Sequence, residues 1–220
     1  MAAPMMIDVV SDVVCPWCYV GKRRLDRALA LRPDVRAGLR WLPFFLDAGV
    51  PREGMRRIDY ISKKFGTSEK VTPMHQRLIG IGAELGIDFH FEKIEQQPNT
   101  LDAHRMIGWA HEAGQAEPVV ERLFAMFFTE GADLSDRDVL VEAGRSGGLG
   151  AVELRRDLAS DRDALFVGRQ ATAASTAGIS GVPFFVFGKK VAVAGAQEVE
   201  ILSAAMDQAL TQSGEPSHAA

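Results

Sequence analysis

Two cysteines stand at positions 15 and 18, and the 220-residue chain contains no others. Pro16 and Trp17 separate them within the stretch DVVCPWCYVGKRRL, Asp12 to Leu25. Thiols at this spacing exchange with disulfides, hold half of a metal site, or pack as small inert hydrophobes. A structural zinc site takes about four ligands. There is no second cysteine pair, and His75, His90, His104, His111 and His218 show no ligand spacing. The reading is therefore redox chemistry and no metal.

The position of the pair says how that chemistry would work. The run MIDVVSDVV is short and rich in β-branched residues, and reads as a buried strand. From Pro16 the period changes: Trp17, Val20, Leu25, Ala28 and Leu29 recur at helical spacing, with Lys22, Arg23, Arg24 and Arg27 elsewhere around the turn. Proline suits the first helical position, which puts Cys15 at the N-cap and Cys18 one turn in on the same side. A sulfur at the N-cap faces unpaired backbone N–H groups and the positive end of the helix dipole, and both favour thiolate over thiol. Cys15 then attacks a substrate disulfide, and Cys18, more buried and less acidic, resolves the mixed disulfide.

A second motif lies far along the chain. GISGVPFFVF places Val182-Pro183 at the head of a strand, where proline's missing N–H is tolerated. An X-Pro bond becomes cis at a cost of only ~0.5–1 kcal/mol. A cis Pro183 beside the cysteine-bearing helix would leave the Val182 backbone to pair with an extended peptide. An ordinary trans proline starting an edge strand is the plainer alternative.

These motifs need a scaffold. After the first helix, stopped near Arg32-Pro33, LRWLPFFL reads as a second strand ending near Pro43, which completes a βαβ unit. From about Pro51 to Leu158 the signals are helical. Thr72 and Pro73 suggest the start of one helix and Gly86 its end; Asn99 and Thr100 read as caps of another. Phe124, Phe127 and Phe128 belong to a central apolar helix, and Ser135 with Asp138 has capping-box spacing. A helix from about Asp163 to Ala177 follows, then two strands joined at Gly188-Lys189, and a final helix from Gln197 to Leu210. The sequence thus predicts an α/β chain: a discontinuous domain of residues 1–50 and 160–212, a helical domain inserted at 51–159, and a disordered tail at 213–220.

Composition excludes other classes. With 47% hydrophobic and 25% charged residues the chain is an ordinary globular protein. The net charge of −4 with scattered positive charges argues against nucleic acid or an anionic membrane surface as a partner. No apolar run approaches the ~20 residues needed to span a bilayer, and the N-terminus lacks the basic start of a secretory signal. The expected compartment is the cytoplasm, where a static disulfide is disfavoured and a close pair is more often reactive.

In combination, SDVVCPWCYVGKRRL, NTLDAHRM and GISGVPFFVF resemble the thioredoxin-fold superfamily, and more specifically the DsbA-like proteins of the FrnE type, over most of residues 5–210. The resemblance implies a thioredoxin-like fold interrupted by a helical domain, and thiol–disulfide oxidoreduction, with isomerase activity in some members. It implies Cys15 as nucleophile, Cys18 as resolving thiol, Pro183 as the cis proline, and Asn99 and His104 as residues facing the cleft; Pro16 and Trp17, between the cysteines, and Val182 and Pro183 would contact substrate. No tightly bound cofactor is implied; glutathione as co-substrate is an option. The partners implied are disulfide- or thiol-containing proteins or small molecules, with a homodimer as a further candidate. Some relatives carry another cysteine pair near the C-terminus; this chain does not. Kappa-class transferases and 2-hydroxychromene-2-carboxylate isomerases share the fold and resemble the chain around NTLDAHRM, but generally have serine where Cys15 stands. Retention of both cysteines favours redox chemistry over that glutathione-dependent alternative. A non-enzymatic holdase using the helical segment is the third hypothesis. Plainer roles stand beside these: Asn99 as a helix cap, Asp12 as the end of a strand rather than a proton shuttle for Cys18, Trp17 as a shield.

Overall fold

A computed structural model describes residues 4–211. The chain opens with β1 (Met5–Ser11), α1 (Pro16–Ala30) and β2 (Ala37–Pro43). A two-residue strand β3 (Met55–Arg56) leads into α2 (Arg57–Phe65) and α3 (Ser68–Leu85). The short strand β4 (Gln96–Gln97) pairs with β3 and precedes α4 (Leu101–Glu112). Then come α5 (Ala116–Ala125), continued by a π turn over Met126–Glu130, α6 (Arg137–Ser146), α7 (Ala151–Leu158) and α8 (Ala164–Thr176). The hairpin β5 (Phe184–Phe187) and β6 (Val191–Ala194) and the helix α9 (Val199–Thr211) close the described chain.

The main sheet has the order β2-β1-β5-β6, so both ends of the chain build it. β1 pairs in parallel with β2, Val9 opposite Trp41, and antiparallel with β5, Val9 opposite Phe185. A parallel pair needs a crossover, and α1 supplies it. The β5–β6 turn forms where it was expected. Gly188 and Lys189 both adopt positive φ, 57° and 63°, the backbone of a type I′ hairpin turn, which glycine adopts at little cost. Nine helices occur among the described residues, seven of them between β2 and β5. Helices α1 and α9 pack together, α9 also lies on β5 and β6, and α4 and α8 pack on β2. One continuous apolar core runs from Ile7, Val9 and Leu25 through Phe185 and Met206 into Phe124, Phe127, Phe128 and Leu140 of the helical segment.

Several expectations are corrected. Helix α3 begins at Ser68, not at Thr72, so Pro73 lies inside its second turn. Its missing N–H frees the Glu69 carbonyl, and both residues are on the solvent side, where water can take that bond. At α6 the N-cap is Asp136, whose carboxylate accepts the Asp138 amide, while Ser135 turns to Asp133. The final helix begins at Val199 rather than Gln197. Lys22, off the apolar stripe of α1, is nevertheless buried. The tail at 213–220 lies outside the described residues. Among these residues no helix is long and apolar enough to cross a membrane.

Candidate active site

The site is built where β1, α1 and the loop before β5 meet. Cys15 is the N-cap of α1, with extended backbone (φ −94°, ψ 110°), and Pro16 opens the first turn. The Cys15 carbonyl accepts the Cys18 amide at 2.9 Å, which winds the chain so that Cys18 follows on the same side. Both cysteines are free, and both are buried. The peptide bond between Val182 and Pro183 is cis. Cys15 Sγ donates to the Val182 carbonyl at 3.5 Å, so the two motifs, far apart in sequence, meet through this contact.

That contact departs from one expectation. The Cys15 side chain makes no cap bond to the helix amides. A thiol that carries its proton is a donor, so it takes a carbonyl; the amide-facing arrangement suits an anion. Cys18 differs from its partner. Burial pushes its thiol well above the ordinary value, and the Cys15 sulfur pushes the same way; the Ser11 hydroxyl and the Asp12 backbone amide oppose the rise.

Pro183 reaches the helix because position 21 is glycine. A Cβ there would lie 2.7 Å from Pro183 Cγ, closer than real Cβ atoms come, and 3.1 Å from Phe185 Cζ, so Pro183 would have to shift. Trp17 is half-buried, with the guanidinium of Arg77 from α3 over its ring at 5.6 Å. Sequence reading missed both Gly21 and Arg77. A glycine one turn after Cys18 was the only signal for the first, and Arg77 in a helical run gave none.

The two other expected residues are placed differently. Asn99 bridges segments: its amide donates to the Val50 carbonyl at 2.7 Å and its oxygen accepts the Leu101 amide at 3.0 Å. Both polar ends are used within the fold, as a cap residue's would be. His104 is buried on α4. Its ring lies against Phe45, and Nε2 is 3.4 Å from Asp12 Oδ1. Asp12 Oδ2 accepts the Leu46 amide at 2.9 Å, and the Asp12 carbonyl accepts the Cys15 amide at 3.0 Å. Thus His104 joins the site through Asp12. It also borders a cavity of about 330 Å³ between β2, α4 and α8, lined by Trp41, Ile107, Trp109 and Phe166 among others. Arg105, next to His104, is fully buried; it bonds Asp102 and the carbonyls of Asp157, Ser160 and Arg162, pinning the segment that enters α8. No cluster of three His, Cys, Asp or Glu side chains suited to a metal occurs among the described residues.

Comparison with known proteins identifies the family and the fold. Residues 6–207 match the family model of the DSBA-like thioredoxin domain. An uncharacterized protein of Bacillus subtilis, YwbO, is 29% identical over 187 residues, 84% of this chain and 88% of the relative. The crystal structure of the probable DsbA oxidoreductase SCO1869 from Streptomyces coelicolor superposes with a TM-score of 0.88 at 30% identity, covering 98% of this chain and 94% of that one. A 2-hydroxychromene-2-carboxylate isomerase superposes with a TM-score of 0.71 at 18% identity, covering 94% and 97%, a likeness of fold.

Proposed function

The chain belongs to the DsbA-like thioredoxin family, and from that premise we propose that it is a dithiol–disulfide oxidoreductase of the FrnE type. On this reading the described residues within 1–50 and 160–212 form its thioredoxin-like domain and 51–159 the helical insert. Cys15 is the nucleophile and Cys18 the resolving thiol. The observation that carries this reading is the junction of the free Cys15 thiol with the Val182 carbonyl at the cis Val182-Pro183 bond.

The chemistry follows from the positions. Cys15 loses its proton and its sulfur attacks one sulfur of a substrate disulfide; that S–S bond breaks and the other substrate sulfur leaves as a thiolate. The Cys18 sulfur then attacks Cys15, the bond from Cys15 to substrate breaks, and the second substrate thiol departs. The substrate gains two electrons and the cysteine pair loses them. Run backwards, the oxidised pair makes a disulfide in a substrate dithiol. Once Cys15 Sγ is a thiolate or a disulfide sulfur it no longer donates to Val182. The carbonyl is then open to a substrate N–H, the first bond of an added strand. Trp17 and Pro16 border the same opening and contact the substrate. Glutathione and its disulfide are small-molecule substrates on this reading, and no resident cofactor takes part.

The test is equilibration with a glutathione redox buffer, read by mass. Wild type should exchange between dithiol and internal disulfide. Cys15→Ser should lose more than about 99% of exchange activity, since the attacking sulfur is gone, and Cys18→Ser should accumulate a Cys15 mixed disulfide. Full activity in Cys15→Ser would end the proposal. Glutathione-dependent turnover of an aromatic substrate surviving in Cys18→Ser would move the chain to the isomerase and transferase branch.

A further inference from the structure

Two buried polar atoms beside the cysteines lack a conventional hydrogen-bond partner: Asp12 Oδ1 and His104 Nε2. They face each other at 3.4 Å, with side chains 1% and 4% exposed. An unsatisfied buried polar atom is costly, and a proton placed between these two satisfies both. The donor is the histidine Nε2–H and the acceptor is the carboxylate.

Asp12 is the residue on which both cysteines rest. Its carbonyl takes the Cys15 amide and its Oδ2 takes the Leu46 amide, at 3.0 and 2.9 Å. Its own amide is one of two groups that act to stabilise a Cys18 anion, the other being the Ser11 hydroxyl. The remaining polar atom of Asp12 is Oδ1, and among the described residues His104 Nε2 stands opposite it.

We propose that His104, reaching in from α4, is a positioning residue for the resolving step: by donating to Asp12 Oδ1 it fixes the Asp12 backbone against Cys18. The inference rests on the disulfide-exchange reading given above. In that step Cys18 releases its proton to a base in solution and its sulfur bonds to Cys15. The Cys15–substrate bond breaks, and the departing sulfur keeps the electron pair and is protonated. A Cys18 held in an apolar setting needs every available donor at the moment its charge develops. Capture of substrate by Cys15 depends less on the pair, because the Asp12 carbonyl touches the Cys15 amide and not its sulfur.

The experiment separates the two steps. Reduced protein is mixed with glutathione disulfide, quenched with acid at intervals, and weighed. In His104→Ala, mixed disulfide should form at Cys15 within about twofold of the wild-type rate. Its conversion to the Cys15–Cys18 disulfide should slow about tenfold, the size expected for one lost hydrogen bond acting on a developing charge. His104→Gln, whose amide can donate to Asp12, should recover to within about threefold on the same grounds. Wild-type conversion in a folded His104→Ala overturns the inference, as does equal slowing of capture and conversion. Should His104→Ala fail to fold, His104→Met against His104→Gln decides: a slow Met variant supports it, and equal rates overturn it. If wild type itself never passes from mixed to internal disulfide, the disulfide-exchange reading fails. If wild type converts and the His104 variants match it, only the positioning role fails.

Discussion

Helix α1 has two consecutive turns of opposite character. Its first turn holds Cys15, Pro16, Trp17 and Cys18 without an acidic side chain, and its contacts there are backbone bonds, the Cys15 thiol on the Val182 carbonyl, apolar packing and one cation over a ring. The next turn is saturated with charge. Lys22 Nζ lies 2.8 Å from Asp26, 3.1 Å from Glu121 and 3.9 Å from Glu117, although its side chain is only 6% exposed. Arg23 pairs with Glu121 at 2.6 Å, and the Tyr19 hydroxyl donates to Glu121 at 2.8 Å. Glu117 in turn accepts from the Trp41 indole on β2. The charged turn bolts α1 to α5 and to the sheet. The reactive turn carries no charged side chain of its own, so the sulfurs respond to the helix and to substrate. Anchoring and chemistry are kept one turn apart.

Removing the bolt is the largest perturbation of this division. Lys22→Ala leaves Glu121 and Glu117 near one another without their shared cation. Breaking a buried pair costs about 3–5 kcal/mol, discounted here to about 2–3 kcal/mol because the carboxylates are partly exposed. Chemical denaturation should report that loss, while Cys15 in the folded protein is alkylated within about threefold of the wild-type rate, because the reactive turn keeps its own contacts. A variant that keeps its stability but loses Cys15 reactivity would erase the distinction between the two turns.

The opposite case is Gly21, which sits between them. Glycine to alanine in a helix gains about 0.5–1 kcal/mol of propensity. The new methyl would meet Pro183 Cγ at 2.7 Å, and overpacking of that kind costs about 1–3 kcal/mol. The terms nearly offset, so stability should fall by no more than about 2 kcal/mol. Function should fall further: Pro183 must shift, Val182 with it, and exchange with a peptide disulfide should drop by about tenfold, as sub-ångström misplacement of a reacting group does. Unchanged exchange in Gly21→Ala would mean that the contact between Cys15 and Val182 does not matter for turnover.

The same comparison explains what was legible in the sequence. The reactive turn could be read because it is local. Two cysteines, a proline at N1 and a change of period all fall within a few residues. Val182-Pro183 was legible as a breaker at a strand head, and the hairpin at Gly188-Lys189 as a turn. The anchor could not be read that way. Lys22 looks solvated until α5 brings Glu117 and Glu121 to it, and Arg105 looks like one charge of an amphipathic helix until the loop carbonyls close around it. Asp12 and His104 were each visible as single residues, but their pairing depends on α4, packed on β2, bringing His104 to the residue that follows β1. Pro73 misled because a proline tolerated on the solvent side of a helix carries the same sequence signal as one that starts it.

The smallest effect tests the sulfurs themselves and is a matter of pH. Burial raises the Cys18 thiol above the ordinary 9.0 in the folded, reduced protein. In the unfolded chain Cys18 titrates normally, so below that value neither state is ionised at this residue and stability is unaffected. As pH climbs past it, the unfolded chain releases the Cys18 proton while the folded chain keeps it, and folding stability falls. Tyr19 adds to the decline from higher pH, because burial and the bond to Glu121 push its hydroxyl up to about 12 against an ordinary 10.0. Urea denaturation between pH 8 and about 10 isolates the cysteine contribution before Tyr19 dominates, given ordinary Cys and Tyr titration ranges. The reduced wild type should weaken over that span more than Cys18→Ser, and more than the oxidised protein, in which no thiol remains to titrate. The resolving rate should rise over the same interval without levelling near neutrality, since the attacking thiolate is what the higher pH supplies. Parallel stability curves for reduced wild type and Cys18→Ser would place Cys18 in a more polar setting than its burial implies, and would remove the need for the donors around it.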